Sequence, residues 1–177
     1  MNNEAQKRSD LCSCSGPDGK GWICDRCGEV INNAGDGWLQ CVQAPTGSGD
    51  YRMRDLSLVH HFSASPRKES HKHGCQFDAQ LEFKTDGGIT NDLGLDSFCG
   101  PDGLVHLLSL LADKGASVQD VLTMVMRIHT PGYERARLYF DRAIAEGVIE
   151  PNLPEGFHWQ SGIRRVLDWV ERQDESV

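Results

Sequence analysis

The chain has 177 residues, of which 38% are hydrophobic and 25% charged, a balance that suits a folded protein and excludes a fully disordered one. Its net charge is -8, with 10 basic against 14 acidic residues up to position 98 and 8 against 12 after it. Acidity in both halves lowers the expectation of a phosphate-backbone binder, which gains affinity from basic surface and counterion release.

Residues 1–20 read as a flexible leader in which Leu11 is the only sizeable apolar group and which carries Cys12 and Cys14. The first ten positions have no apolar core of a secretory signal. No apolar run is long enough for a membrane span. The expected location is therefore cytoplasmic, with no membrane partner. In a reducing compartment, clustered cysteines bind metal or do chemistry more often than they pair as disulfides.

From 21 to 98 the pattern is strand-like and rich in turns. Trp22-Ile23 leads into Cys24-Asp25-Arg26-Cys27-Gly28. Two cysteines separated by two residues aim both sulfurs at one point, and glycine after the second lets the chain turn back. Gly37 to Val42 reads as a second strand. Leu56 to Phe62 reads as a third, with Leu56, Leu58, His60 and Phe62 on one face at a period of two. Phe77 to Phe83 fits a strand or a short helix, and Asp86-Gly87-Gly88 is a turn.

From 99 to 177 the period becomes helical, with about four helices expected. Leu104, Val105, Leu107, Leu108 and Leu111 share one face. Ser117 to Asp120 resembles a capping box ahead of a helix carrying Val118, Val121, Leu122, Val125 and Ile128. Thr130-Pro131 reads as the start of a helix over 133–146 with Gly147 as its stop. Trp159, Ile163, Val166, Leu167 and Val170 mark the last helix. The expected fold class is α+β: a zinc-stapled, strand-rich N-terminal region packed on a helical C-terminal region, with one shared core left open.

The segment 22–28 resembles the knuckle of zinc ribbons and treble-clef zinc fingers. The resemblance covers those seven positions and implies a structural Zn²⁺ held by Cys24 and Cys27. Such a site needs four ligands. One completion takes His60 or His61 together with Cys75, with His60 preferred because it ends the apolar strand face. His71 and His73 are further candidates. The rival completion uses Cys12 and Cys14. No His-Glu-x-x-His or deaminase pattern is present, so a catalytic zinc is not expected.

The functional expectation is a zinc-stabilised binding or regulatory module that contacts another protein and is not an enzyme. Two alternatives stay open. One is nucleic-acid binding through the arginines of 133–146, or through the basic loop 60–73 with Arg67, Lys68 and Lys72. The other is a metal-dependent hydrolase or nuclease using the His60/His61 region. Cys99, just before a helix, reads as a small buried sulfur rather than a nucleophile.

Overall fold

A computed structural model describes residues 15–112 and 115–174. Cys12 and Cys14 lie outside the described residues. Strand β1 (Trp22–Ile23) pairs antiparallel with β2 (Val30–Ile31), in the register Trp22 to Ile31 and Ile23 to Val30. Between them lies the cysteine turn. A second sheet has the order β4-β3-β5, all antiparallel, with β3 (Gly37–Pro45) at its centre, β4 (Tyr51–His60) on one side and β5 (Ile89–Gly94) on the other.

The pairing of β3 with β4 shifts between Gln40 and Val42. The extra residue is on β4, where Asp55 has φ of 56°. A bulge of this kind re-aims the following side chains. After it, Leu58, Val59 and His60 are all buried. The expected face therefore ends at His60. Phe62 lies in a short 3-10 turn and is exposed, because the strand has stopped before the fourth repeat of its period.

Helix α1 (Ala79–Asp86) resolves the strand-or-helix alternative at 77–83. Asp78 caps it by accepting from the Gln80 and Leu81 amides, and Gly87 closes it with φ of 76°. Strand β5 follows that turn. Its sequence, Ile-Thr-Asn-Asp-Leu-Gly, carries little β propensity, which is why the sequence pattern did not reveal it.

Helix α2 (Gly100–Ser109) buries Gly103 and Leu107 and leaves Val105 and Leu108 exposed. The expected apolar face is thus only partly used. Helix α3 (Val118–His129) starts on Ser117, whose side chain accepts from the Asp120 amide, as the capping box predicts. It ends at Thr130, which is its C-cap and not the N-cap of the next helix. Gly132, with φ of 76°, precedes α4 (Tyr133–Ala136). The helix expected over 133–146 is two short ones. Tyr139 bonds back three residues to Ala136, and a new helix, α5 (Phe140–Ala145), begins beyond it. Helix α6 (Gln160–Asp174) buries Ile163, Val166 and Trp169.

Two apolar cores result. The first joins Trp22, Ile31, Leu39, Leu58, Val59, Leu95 and Phe98 from the strand-rich region to Leu107, Met124 and Ile128 of α2 and α3. The second joins Tyr133, Ala136, Phe140, Ala143 and Ile149 to the buried face of α6. Apolar packing therefore crosses position 98, and the sheet and helices α2 and α3 bury their surfaces together.

Gly103 shows how tight the first core is. A Cβ placed there would collide with the Phe98 carbonyl group, which is backbone and cannot swing aside. Gly103→Ala is expected to destabilise the protein by about 1–3 kcal/mol through overpacking. Gly35→Ala, with nothing within 4 Å of the added carbon, should leave the urea midpoint nearly unchanged.

Candidate metal centre

The cysteine turn is built by its backbone. The Cys24 amide donates to the Glu29 carbonyl at 2.9 Å, and the Gly28 amide donates to the Cys24 carbonyl at 2.9 Å. Gly28 has φ of 78°, a conformation that glycine adopts without strain. The turn is fastened to β4 by two bonds across Asp25. The Asp25 amide donates to the Leu58 carbonyl at 2.8 Å, and the Asp25 carboxylate accepts from the Leu58 amide at 2.8 Å. That register sets His60, two residues further along β4, beside the sulfurs.

Four side chains converge there: Cys24, Cys27, His60 and Cys75, with their ligand atoms all within 4.8 Å of one another. Cys24, Cys75 and His60 are buried. The Cys27 sulfur lies 3.5 Å from His60 Nδ1. A tetrahedral zinc with Zn–S of about 2.3 Å and Zn–N of about 2.0 Å would separate such a pair by roughly 3.5 Å. The donor set and this one separation suit such an ion, and the group could hold a metal ion.

The second layer of contacts matches. His60 Nε2 lies 3.3 Å from the Val30 carbonyl. A carbonyl only accepts, so Nε2 carries the proton and Nδ1 presents its lone pair to the cluster. Ser65, itself buried, donates its hydroxyl to the Cys75 sulfur at 3.1 Å. The Glu29 amide donates to the Cys27 sulfur. Without a cation, burial pushes the Cys27 thiol up to about 12, and close approach of Cys24 and Cys75 adds to the rise. Burial likewise raises Cys75. A bound divalent cation reverses this and displaces the protons.

The loop that returns Cys75 to the site is held by its own turns. Arg67 donates to the Arg26 carbonyl at 2.9 Å, tying the loop to the cysteine turn. Gly74 has φ of 57° and packs on Ser65. The Phe77 amide donates to the buried Gln40 side chain at 2.8 Å.

The other histidines lie elsewhere. His61 turns away from the cluster: its ring stacks on Trp38 with centroids 5.2 Å apart, and Nδ1 accepts from the Ser63 amide. Strand β4 ends at His60, and His61 already caps the 3-10 turn that follows. His71 contacts Ser70, and His73 lies 3.5 Å from Asp78. Cys99 points its thiol at the Leu95 carbonyl.

The arginines of 133–142 are engaged within the chain. Arg135 pairs with Asp18, Arg137 with Glu134 and Asp25, and Arg142 with Glu146. Lys68 donates to the Ser63 carbonyl.

One feature of the site has no counterpart in the cysteine motif. Arg127 of α3, almost fully buried, donates to Asp25 at 2.8 Å and to the Ile23 carbonyl at 3.0 Å. It also grips Glu134 through two bonds of 2.9 and 2.7 Å. Glu134 in turn accepts from the Ile23 amide at 3.0 Å. Asp25, one of the two residues between the cysteines, is thereby joined to helices α3 and α4.

Among the described residues, no helix is long and apolar enough to cross a membrane. Comparison of the chain with models of protein families, with curated proteins and with solved structures finds no match in any of the three.

Proposed function

We propose that this chain is a zinc-stabilised binding or regulatory module, with Cys24, Cys27, His60 and Cys75 as ligands of one structural Zn²⁺ in a knuckle of the zinc-ribbon and treble-clef kind. The convergence of three sulfurs and one oriented imidazole nitrogen carries the reading. Three thiolates with one nitrogen favour zinc over the harder cations, which prefer oxygen. All four positions of a tetrahedral ion would be taken by protein atoms. A catalytic zinc keeps one position for water or substrate, so the centre acts as a staple. Its work is then to hold surfaces in place for a partner, and that partner is another protein.

Native mass spectrometry of the folded chain should show one zinc, and X-ray absorption should show three sulfur neighbours and one nitrogen. His60→Ala should lose the ion, whereas His61→Ala should keep it with unchanged stoichiometry. A folded, metal-free protein would overturn the proposal. Four sulfur neighbours would replace its ligand set with one that includes Cys12 or Cys14.

A further inference from the structure

Helix α1 buries none of its residues. Its acidic side is fully used. Glu82 and Asp86 both accept from Arg54 of β4, at 2.9 and 3.1 Å, and Asp86 also accepts from the Gly88 amide at 3.0 Å. This clamp fixes the helix against the sheet by charge, and its apolar residues are left outside. Phe83 is 64% exposed, and Ile89, at the start of β5, is 55% exposed.

Strand β5 is also the edge of its sheet. β3 occupies one side, and among the described residues no strand pairs with the other. Between this edge and α1 runs a groove of about 370 Å³, walled by Ala79, Phe83 and Lys84 from the helix and by Ile89 and Thr90 from the strand. Among the described residues, Lys84 is the only charged one lining it.

We propose that this groove docks an extended segment of a partner protein, which adds as a fourth strand along β5. The segment places an apolar side chain against Phe83 and a carboxylate beside Lys84. An open strand edge supplies main-chain hydrogen bonds to an extended chain and none to a helix. The carboxylate follows from charge complementarity: the α1 acids Glu82 and Asp86 are held by Arg54 and Asp92 of β5 accepts from Gln40, while Lys84 has no ion pair among the described residues. A second copy of this chain, paired along β5, is the competing occupant that the test below distinguishes by its concentration dependence. The proposal rests on the reading of the chain as a protein-binding module, but not on which metal is bound.

The test titrates the isotope-labelled, zinc-loaded full chain with acetylated, amidated peptides of the form Val-Thr-Xaa-Thr-Asp-Thr-Val. Here Xaa is Phe, Leu, Val or Trp, so that the apolar and acidic side chains share one face of a strand. The expected result is shifted and exchange-protected amides across 89–94 for at least one peptide. Phe83→Ser or Lys84→Glu should weaken binding about tenfold, and N-methylation of alternate peptide amides should abolish it. Both protein substitutions are at exposed positions of a helix that buries nothing, so folding is retained.

No shift with any peptide, or shifts away from 79–94, overturns the proposal. So does protection of β5 amides that grows with protein concentration alone, which would make a second copy the occupant. Zinc measured on the same sample separates the two readings. A zinc-loaded, folded chain that ignores every peptide removes the groove alone, and a folded chain without metal removes the zinc alone.

Discussion

Cys75→Ser is expected to abolish stoichiometric zinc binding and to unfold the strand-rich region, and chelation of the parent protein should do the same. The magnitude follows from the size of the region being held. Structural zinc contributes about 10–16 kcal/mol of apparent binding free energy in small zinc-dependent folds, comparable to the whole stability of a typical domain, about 5–15 kcal/mol. In this chain the ion would join three segments that meet at the edge of the first core: the turn at 24–28, the end of β4 and the loop reaching Cys75. Without the cation, three thiols crowd together, and burial holds Cys27 and Cys75 as neutral thiols. The sulfurs then make only weak thiol hydrogen bonds to one another, and Ser65 has only a weak acceptor.

Circular dichroism and tryptophan fluorescence would follow the loss, since Trp22 lies fully buried in the core next to the turn. Binding releases protons, so apparent affinity for the ion should rise with pH across the neutral range. Cys12→Ser should leave zinc and fold intact. A Cys75→Ser protein that retained one zinc and its native spectrum would remove Cys75 from the site.

Much of this centre is visible in the sequence, and the reason is chemical. Cys24 and Cys27 announce themselves because two thiols at that spacing, followed by Gly28, have few other uses. The strand period prefers His60 to His61 without excluding either, and the structure puts His60 in the cluster and His61 against Trp38. Cys75 is harder to see, because a loop of turns brings it back and no periodic pattern encodes that return. The helical half shows what patterns miss. Val105 and Leu108 fit a helical stripe but stay exposed, while Gly103 and Leu107 take the buried face of α2. The break between α4 and α5 has no proline or glycine to mark it. Strand β5 is held by its pairing with β3, a long-range contact, and not by its own composition.

The network of Asp25, Arg127, Glu134 and Arg137 is the other feature that sequence alone conceals. Arg127 occupies a position of α3 where the helical pattern allows either a core or a surface residue. Its partners are 7 and 102 residues away, so no local spacing reveals the set. Breaking it should have the second largest effect in the molecule. Glu134→Ala is expected to cost about 3–5 kcal/mol, because it leaves a buried guanidinium with half its partners gone. Exchanging both residues for apolar ones, Arg127→Met with Glu134→Leu, removes the stranded charge and should recover a large part of that loss. A double-mutant cycle measured by urea unfolding gives the coupling directly.

The pH dependence has a definite sign. Burial opposes the charged form of Glu134, but the hydrogen bonds and charge of Arg127, aided by Arg137, hold its carboxyl below the usual range. A depressed native pKa contributes stability that is present above the ordinary carboxylate pKa, about 4.3. That contribution is lost as pH falls through the native value. The parent should therefore lose stability on the acid side, and the doubly apolar variant should lose less of it. Because Asp25 sits between two of the proposed ligands and is held by Arg127 and Arg137, the network also ties the cysteine turn to α3 and α4. Removing zinc should therefore weaken the helical side as well, so that α3 amides lose exchange protection on chelation. If those amides stayed fully protected while the strand-rich region opened, the network would be a local brace and not a link between the two.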